Sequence, residues 1–295
     1  LVKRPVPVIM VSGLTKAGAT VTMDALERGA LDYVAKPDRG YNTAATLGDE
    51  LLRKIRSAHG SDVRRILRIR EQRNKRQAQS QRHGQVTDNS PGTPVRELAD
   101  KCIALGISTG GPPALTRLFE ALRPPMPPIV VVQHMPQAFT GPFSWRLNSL
   151  SQLSVKEAAS GDLLRPNHVY VAPGGRHLTL RPQGRSAKVI LGNGPPVSSH
   201  KPSVDVMMLS AAEIYGPRCL GVIMTGMGRD GSDGCRAIRS KGGYVIGQDE
   251  ASSDVYGMNR VAQVEGNVNR QFGLSKAVGV IYQQVKRMTT APALA

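Results

Sequence analysis

The chain has 295 residues, of which 40% are hydrophobic, 21% charged and only 4% aromatic. This length allows one large domain or two smaller ones, and the apolar fraction can build a sizeable, mainly aliphatic core. The 39 basic residues exceed the 22 acidic ones, but the low aromatic content disfavours a nucleic-acid binder that stacks bases on rings. No apolar run is long enough to cross a membrane.

Three cysteines, Cys102, Cys219 and Cys235, have neither the spacing of a metal site nor an even count for disulfides. We therefore predict free thiols in a cytoplasmic protein, with no membrane insertion.

Residues 1–58 alternate the patterns of strands and helices. The runs PVPVIMVS and LDYVAKP are typical of buried parallel strands, and 17–29 and 46–55 have helical spacing. GALDYVAKP, with Ser12 at the end of the first strand, resembles the second half of a response-regulator receiver domain. The resemblance implies that Ser12 and Lys36 contact a phosphoryl group on an aspartate, and that Pro37 follows a cis peptide bond.

The resemblance to a receiver begins only at PVPVIMVS, so we expect the first half of a receiver, with its phosphoacceptor aspartate, to be missing. We therefore expect a partial receiver over residues 1–58, with too little surface to pack stably on the rim that would carry the catalytic groups. A histidine kinase is an expected partner only if the full receiver is present.

Residues 59–98 are predicted to form a linker. Between Arg53 and Arg82 there are eleven basic and two acidic residues, and this basic tract passes into QAQSQRHGQVTDNSPGTP. That composition buries too little apolar surface to order itself. A basic tract can also bind nucleic acid or an anionic membrane surface, but no aromatic residues interleave this one, and we interpret it as a solvated linker.

Residues 99–290 alternate strand and helix patterns, which predicts an α/β fold with a doubly wound, mainly parallel sheet. The expected strands are CIALGIS, PIVVVQH, HVYVAP, CLGVIMTG and GYVIGQ, and HLTLRP with AKVILG is expected to form a hairpin. Helices are expected after Pro112, Thr140, Pro202, Gly231 and Gly273.

The segment GISTGG places Ser108 between a predicted strand and a predicted helix. Glycines on both sides permit the sharp turn that exposes a nucleophile, and the helix N-terminus directs N–H groups at negative charge. The same features can cradle a phosphate. The motif alone thus leaves a nucleophilic serine and an anion-binding loop open.

Two further polar residues, His134 in QHMP and Asp230 in MTGMGRDG, follow predicted strands. Because the carboxyl ends of parallel strands meet at one edge of a sheet, His134 can serve as base for Ser108, with Asp230 orienting its ring. Each also has a structural alternative: a hydrogen-bonded core histidine, and an N-cap for the helix near Ser232. The order Ser, His, Asp differs from that of α/β hydrolases.

Several segments together resemble the chemotaxis protein-glutamate methylesterase family: IALGISTGGPPAL, VVQHMP, GDLLRPNHVYVAPGGRHL, HKPSVDVMM, GVIMTGMGRDG and QDEASSDVYGM. The resemblance implies a serine esterase that acts on glutamyl methyl esters of chemoreceptors, without metal or organic cofactor. The family also deamidates receptor glutamines.

The same resemblance implies a role for individual residues. Ser108 is the nucleophile, His134 the base and Asp230 the orienting acid. Thr109 would lie against the histidine, and Met227 in the loop near the oxyanion. Asn259 stands where the family commonly has proline.

Two other functions stay open at this point. GISTGG could belong to a nucleotide- or phosphate-binding module, although it lacks the lysine of a P-loop. The chain could also be a catalytically silent docking protein, which the presence of Ser108, His134 and Asp230 disfavours. The expected partners are methyl-accepting chemotaxis receptors, not nucleic acid.

Overall fold

The computed structural model describes residues 6–13, 15–36, 44–59 and 95–290. Most of the predicted linker, and Pro37 with its expected cis peptide bond, lie outside the described residues. The N-terminal segment contains β1 (Ile9–Ser12), α1 (Lys16–Glu27), β2 (Asp32–Ala35) and α2 (Ala44–His59). β1 and β2 are parallel neighbours.

The rest of the described chain is built on one large sheet and a hairpin. Its strands are β3 (Cys102–Ile107), β4 (Ile129–Gln133), β5 (Ser154–Glu157), β6 (His168–Val171), β7 (His177–Gln183), β8 (Ser186–Gly192), β9 (Cys219–Ile223), β10 (Tyr244–Gln248) and β11 (Arg270–Phe272). Seven of them form a parallel sheet in the order β11-β10-β9-β3-β4-β6-β5. β7 and β8 form the predicted antiparallel hairpin.

Helices cover both faces of the sheet. They are α3 (Gly111–Ala121), α4 (Gln137–Leu150), α5 (Val204–Tyr215), α6 (Ser232–Ser240), α7 (Met258–Val264) and α8 (Ala277–Thr290). Side chains of β3 alternate between the two faces: Ile103 and Leu105 join the core under α3, α4 and α8, whereas Ala104 joins the core under α5, α6 and α7. The predicted doubly wound parallel sheet is confirmed. None of the described helices has the length and apolar character needed to cross a membrane.

The order of the strands determines where a site can form. From β3 the chain moves outward through β4 on one side, and it returns to β3's other side only at β9. β3 is therefore the switch point, beside which parallel sheets leave a crevice at the carboxyl ends of their strands. Ser108, His134 and Asp230 follow β3, β4 and β9, the three central strands.

The N-terminal segment packs on the α3–α4 face of the large sheet. Met23 and Leu26 of α1 belong to the same apolar core as residues of α3 and α4. The centroid of the Tyr33 ring lies 4.8 Å from the centroid of the Phe139 ring. Apolar side chains of α1 and β2 therefore contact the neighbouring domain. That this segment cannot pack stably on the rim that carries Ser108 and His134 stays a prediction.

We expect the backbone amides of β1 to exchange with solvent faster than those of β3. Among the described strands, β1 pairs only with β2, whereas β3 is paired on both edges. Tyr33→Ala should extend fast exchange into β2, because it removes the ring that packs on Phe139. Hydrogen-exchange mass spectrometry provides the measurement, with Val21→Ala, at a 62% exposed position of α1, as the control. Equal protection of β1 and β3 would contradict this view of the segment.

Candidate active site

Ser108 follows β3 on a tight turn into α3. Its N–H donates to Thr225 O at 2.9 Å, and its own carbonyl accepts from Gly111 N at 2.7 Å. Gly110 has φ of +79°, a conformation that side chains disfavour. A Cβ at Gly226 would lie 2.8 Å from the Ser108 Cβ, so only glycine allows this loop to approach so closely.

The His134 ring is held by Asp230. His134 Nε2 lies 2.8 Å from Asp230 Oδ2, whereas Nδ1 is buried and has no hydrogen-bond partner. The Ser108 hydroxyl therefore makes no hydrogen bond to Nδ1 in this structure, although the backbones run side by side, with His134 N donating to Ile107 O at 3.2 Å. Serine–histidine hydrogen bonds are often long or unformed in sites without substrate.

The Asp230 carboxylate is fully buried at the N-terminus of α5. It accepts hydrogen bonds from Ser203 Oγ at 2.8 Å, Val204 N at 2.8 Å and Asp205 N at 3.0 Å. These backbone N–H groups lack partners within the helix, and the helix dipole favours a negative charge beside them. Burial favours protonation, but the hydrogen bonds from His134 and the helix outweigh it, and the pKa of Asp230 lies well below its usual range.

The sequence also allowed Asp230 to cap the helix that follows it, and the structure assigns that role to another carboxylate. Gly231 is the N-cap residue of α6 and has no side-chain cap. Instead, Asp205 Oδ1 accepts from Gly231 N at 2.9 Å and from Gly234 N at 2.8 Å. Asp230, which precedes α6, therefore binds the N-terminus of α5, whereas Asp205 of α5 binds the N-terminus of α6. Capping rules that consider one helix at a time cannot predict this exchange.

The burial of Asp205, together with its proximity to Asp230, raises its pKa to about 7, although the N–H group of Gly234 opposes the shift. The folded protein thus retains a proton that the unfolded chain has released above about pH 4. Asp205 therefore makes the free energy of unfolding fall as pH rises from about 4 to 7, with no further effect above that.

Asp205→Asn should flatten this dependence, because an amide presents the same acceptor and cannot ionise. The measurement is denaturant unfolding at several pH values. Asp233→Asn is the matched control, since Arg229 lowers the pKa of that carboxyl. An unchanged pH slope in Asp205→Asn would refute the assignment.

A buried glutamine joins the two strands that carry Ser108 and His134. Gln133 Nε2 donates to the carbonyls of Ser108 and His134, each at 3.1 Å. Thr225 Oγ1 donates to Thr109 O at 2.9 Å from the other side. These side chains fix the backbone around the serine. The sequence analysis did not single out Gln133, although it stands directly before His134 in the motif QHMP.

The resemblance places Met227 in the loop near the oxyanion and Thr109 against the histidine, and the position of Thr109 stays a prediction. Its hydroxyl donates a hydrogen bond to Asp32 of β2, so the N-terminal segment contacts the residue next to Ser108. Met227 is partly buried in the loop that begins with Gly226. That loop lies against Ser108.

The two receiver-type residues end neighbouring strands. Lys36 N donates to Ser12 O at 2.7 Å, and the Lys36 side chain is exposed. The hydroxyl of Ser12 donates to Gly18 O at 3.2 Å. Their proposed contact with a phosphoryl group stays a prediction.

One group of described side chains has the composition of a metal site. Ligand atoms of His134, His200 and Asp230 lie within 4.8 Å of one another. However, the two imidazole rings are stacked with only 8° between their planes. Lone pairs lie in the ring planes, so those of the two histidines do not converge on a common point. The arrangement suits a hydrogen-bonded dyad better than a shared ion.

Asn259, the departure from the family pattern, has a structural role. It is buried, and its Nδ2 donates to Gln248 O at 2.7 Å and to Ser253 Oγ at 2.8 Å. The amide thus ties the end of β10 to the loop beside α7. Proline at this position could not make these hydrogen bonds.

The CheB methylesterase family matches residues 103–281, which run from the second residue of β3 past the end of β11. The chain belongs to this family. It is 41% identical over 286 residues to the protein-glutamate methylesterase/protein-glutamine glutaminase 1 of Xanthomonas oryzae pv. oryzae, an alignment that covers 96% of this chain and 81% of that protein. A relative of the same name without the number, from Pectobacterium atrosepticum, is 40% identical over 271 residues, 90% of this chain and 72% of that protein.

The catalytic domain of the Thermotoga maritima CheB methylesterase has a similar crystal structure. It matches with a TM-score of 0.61 and 38% identity, over 62% of this chain and 97% of that domain. Family membership therefore applies to the sheet that carries Ser108, His134 and Asp230. The bacterial relatives also align with most of the segment that precedes it.

Proposed function

We propose that this chain hydrolyses glutamyl methyl esters of methyl-accepting chemotaxis receptors, with Ser108 as nucleophile, His134 as base and Asp230 as orienting acid. The observation that carries the proposal is the hydrogen bond between His134 and the buried Asp230 beside the strand that presents Ser108. Membership of the CheB methylesterase family supports it. We infer that residues 99–290 form the catalytic domain.

The ionised state of Asp230 determines which tautomer of His134 is present. An ionised carboxylate only accepts hydrogen bonds, so Nε2 of His134 must carry the hydrogen. Nδ1 then has a free lone pair and no partner. This nitrogen is the base that the reaction needs.

The reaction proceeds in two halves. Ser108 Oγ, after rotation about χ1, attacks the ester carbonyl carbon while Nδ1 of His134 takes the serine proton. The resulting imidazolium then protonates the departing methoxide, which leaves as methanol and gives a glutamyl–Ser108 ester. Water, deprotonated by the same nitrogen, attacks this ester and releases the glutamate side chain and the free serine.

The negative charge that develops on the attacked carbonyl oxygen must be stabilised by hydrogen-bond donors near Ser108. The backbone N–H of Thr109, at the N-terminus of α3, has the position that follows a nucleophile in such elbows. The dipole of α3 adds favourable potential. The loop that contains Met227 begins at Gly226, which lies against Ser108.

The same steps apply to a glutamine side chain. His134 then protonates the amide nitrogen, ammonia leaves, and the same glutamyl–Ser108 ester is hydrolysed. The named relatives are protein-glutamine glutaminases as well as methylesterases, and we propose both activities for this chain. A cytoplasmic location stays a prediction.

Isotope labelling tests the mechanism on the natural class of substrate. We expect a methylated receptor cytoplasmic fragment, incubated with the protein in ¹⁸O-water, to gain ¹⁸O in its glutamate carboxylates while the methanol stays unlabelled. The matched variants are Ser108→Ala, expected to be inactive, and Ser149→Ala, on an exposed site of α4. Failure of the wild-type protein to release methanol would contradict the proposal and favour an anion-binding role for GISTGG.

A further inference from the structure

An open cleft separates α2 from the turn that precedes α5. Its volume is about 470 Å³, and it is lined by Asp49, Leu52, Arg53 and Arg56 of α2 and by Ser199 of the turn. The four α2 residues are spaced by three, four and seven positions, so they share one face of the helix. The N-terminal segment therefore forms one wall of the cleft, and the domain that matches the family forms the other.

The cleft lies next to the catalytic base. Ser199 belongs to a tight turn that is closed by two hydrogen bonds between the backbones of Val197 and His200, at 3.0 and 2.9 Å. The ring of His200 in turn lies 3.8 Å from that of His134, centroid to centroid. Burial and the charge of His134 lower the pKa of His200 to about 4, and the charge of Arg53 also lowers it. A ligand bound by α2 in this cleft is thus adjacent to the reacting groups.

The basic residues of α2 form two groups. Lys54 is partly buried and pairs with Asp32 and Glu50, at 3.1 Å in each case. Arg53 and Arg56 are exposed, and in the part of the chain that the structure describes no carboxylate forms an ion pair with either guanidinium. The positive charge of α2 is therefore neutralised on the side towards β2 and left without a partner on the side of the cleft.

We propose that Arg53 and Arg56 bind carboxylates that flank the scissile ester on the receptor, so that this face of α2 determines the affinity for an acidic receptor segment. The proposal rests on the proposed function and names the part of the substrate that is recognised. A segment with several modifiable glutamates presents a carboxylate wherever the methyl ester is absent. Guanidinium groups bind carboxylates through two parallel hydrogen bonds, and Leu52, which is 50% exposed, offers an apolar contact beside them.

A protein segment fits this cleft better than a nucleic acid. Among the described residues that line the cleft, none has an aromatic ring on which a base could stack. The carboxylate of Asp49 lies on the same face of α2 and repels a continuous run of phosphates. A protein segment of mixed charge can instead place a basic side chain or a backbone N–H group beside Asp49.

A comparison of two substrates tests the proposal. A methylated receptor cytoplasmic fragment carries flanking carboxylates, whereas the γ-methyl ester of N-acetyl-glutamate α-methylamide is small and neutral. We expect Arg53→Gln/Arg56→Gln to lower the ratio of kcat/KM for the fragment to kcat/KM for the small ester by about 5- to 25-fold, since each exposed ion pair contributes up to about fivefold. For the fragment, the loss should appear in KM and not in kcat, because the flanking groups do not change during the reaction.

The matched control removes two positive charges at the opposite edge of the sheet. Arg185 and Arg218 both lie near Asp100, which precedes β3, whereas Ser108 follows it. Arg185→Gln/Arg218→Gln has the same net charge as the test variant and should keep the wild-type ratio. A structural defect of the whole protein would instead lower kcat/KM for both substrates together.

Binding provides a second readout that does not depend on turnover. In the Ser108→Ala background the ester stays intact, and the Kd for the fragment should rise about 5- to 25-fold when Arg53 and Arg56 are replaced. Added salt should weaken binding less in that variant than in its parent, because fewer charges are screened.

An unchanged ratio and an unchanged Kd in Arg53→Gln/Arg56→Gln, or an equal fall in the Arg185 and Arg218 control, would overturn the proposal. Duplex DNA that binds more tightly than the fragment, through the same two arginines, would also overturn it and assign the cleft to nucleic acid. If the wild-type protein hydrolyses neither ester, the proposed function fails, and the Kd values in the Ser108→Ala background still decide whether the two arginines bind the receptor.

Discussion

Ser108→Ala and His134→Ala should each lower kcat/KM for methanol release by roughly 10⁴-fold or more, because a nucleophile and its base act as a unit. For the same reason the double variant should be no worse than either single one. The Ser108 hydroxyl makes no hydrogen bond to the unpartnered Nδ1 of His134, so its removal should change the free energy of unfolding little.

Matched controls test whether these losses are specific. Ser149→Ala changes an exposed serine on α4, and His168→Ala changes a histidine at the start of β6, where its Nδ1 lies 2.9 Å from Pro166 O. Both should retain near wild-type turnover. Near-normal methanol release by Ser108→Ala would show that another residue is the nucleophile.

Asp230→Asn should lower both turnover and stability. An asparagine offers one acceptor oxygen in place of two, and its NH₂ group would face Nε2 of His134 or the N–H groups of Val204 and Asp205, which are donors. We expect roughly a 10⁴-fold fall in kcat, as when the orienting aspartate of a triad is replaced. Each buried donor left without a partner costs about 1–3 kcal/mol, which chemical denaturation will measure.

The control is Asp233→Asn. Asp233 lies on the first turn of α6, and its carboxylate pairs with the exposed side chains of Arg229 and Arg236. Such a pair contributes less than about 1 kcal/mol. If Asp230→Asn had wild-type turnover and wild-type stability, Asp230 could not be the orienting acid. If Asp230→Asn lost stability but kept wild-type turnover, Asp230 would serve only as a helix cap.

The pH dependence of Asp230 runs opposite to that of Asp205. Because its pKa is lowered in the folded state, its contribution to stability is complete above the unfolded pKa of about 4 and is lost as pH falls below it. Acid unfolding of the wild type should therefore begin in that range, and Asp230→Asn should show a weaker acid limb.

The central strands were predictable because they are buried on both faces. β3, β4 and β9 consist of continuous apolar residues, the pattern expected of interior parallel strands. β5 and β11, at the two ends of the sheet, were missed. β5 alternates exposed and buried residues, and β11 has only three residues with one buried, so neither has an apolar run.

The positions of Ser108, His134 and Asp230 were predictable from strand ends alone. The hydrogen bonds that hold these side chains in place were not predictable. Ser203 and Asp205 are more than twenty residues from Asp230, and their hydrogen bonds to it depend on how α5 packs beside α6. The contact of Thr109 with Asp32 joins residues 77 positions apart. No local pattern encodes such tertiary contacts.

The approach of His200 to His134 was equally hidden in the sequence. It requires Ser198 and Ser199 to adopt positive φ, which their residue type disfavours. The segment HKPSVDVMM marked this region, but nothing in those letters shows which side chain reaches the base.

Labelling of the protein by a fluorophosphonate, followed by peptide mass spectrometry, tests the central claim most directly. Only a serine activated by a neighbouring base reacts readily with this reagent, and neither a phosphate-binding loop nor a silent docking surface does. We predict a single adduct on Ser108, formed in parallel with the loss of methanol release, and no adduct in His134→Ala. An adduct on another serine, or full activity after complete labelling of Ser108, would contradict the assignment of Ser108, His134 and Asp230 as the catalytic groups.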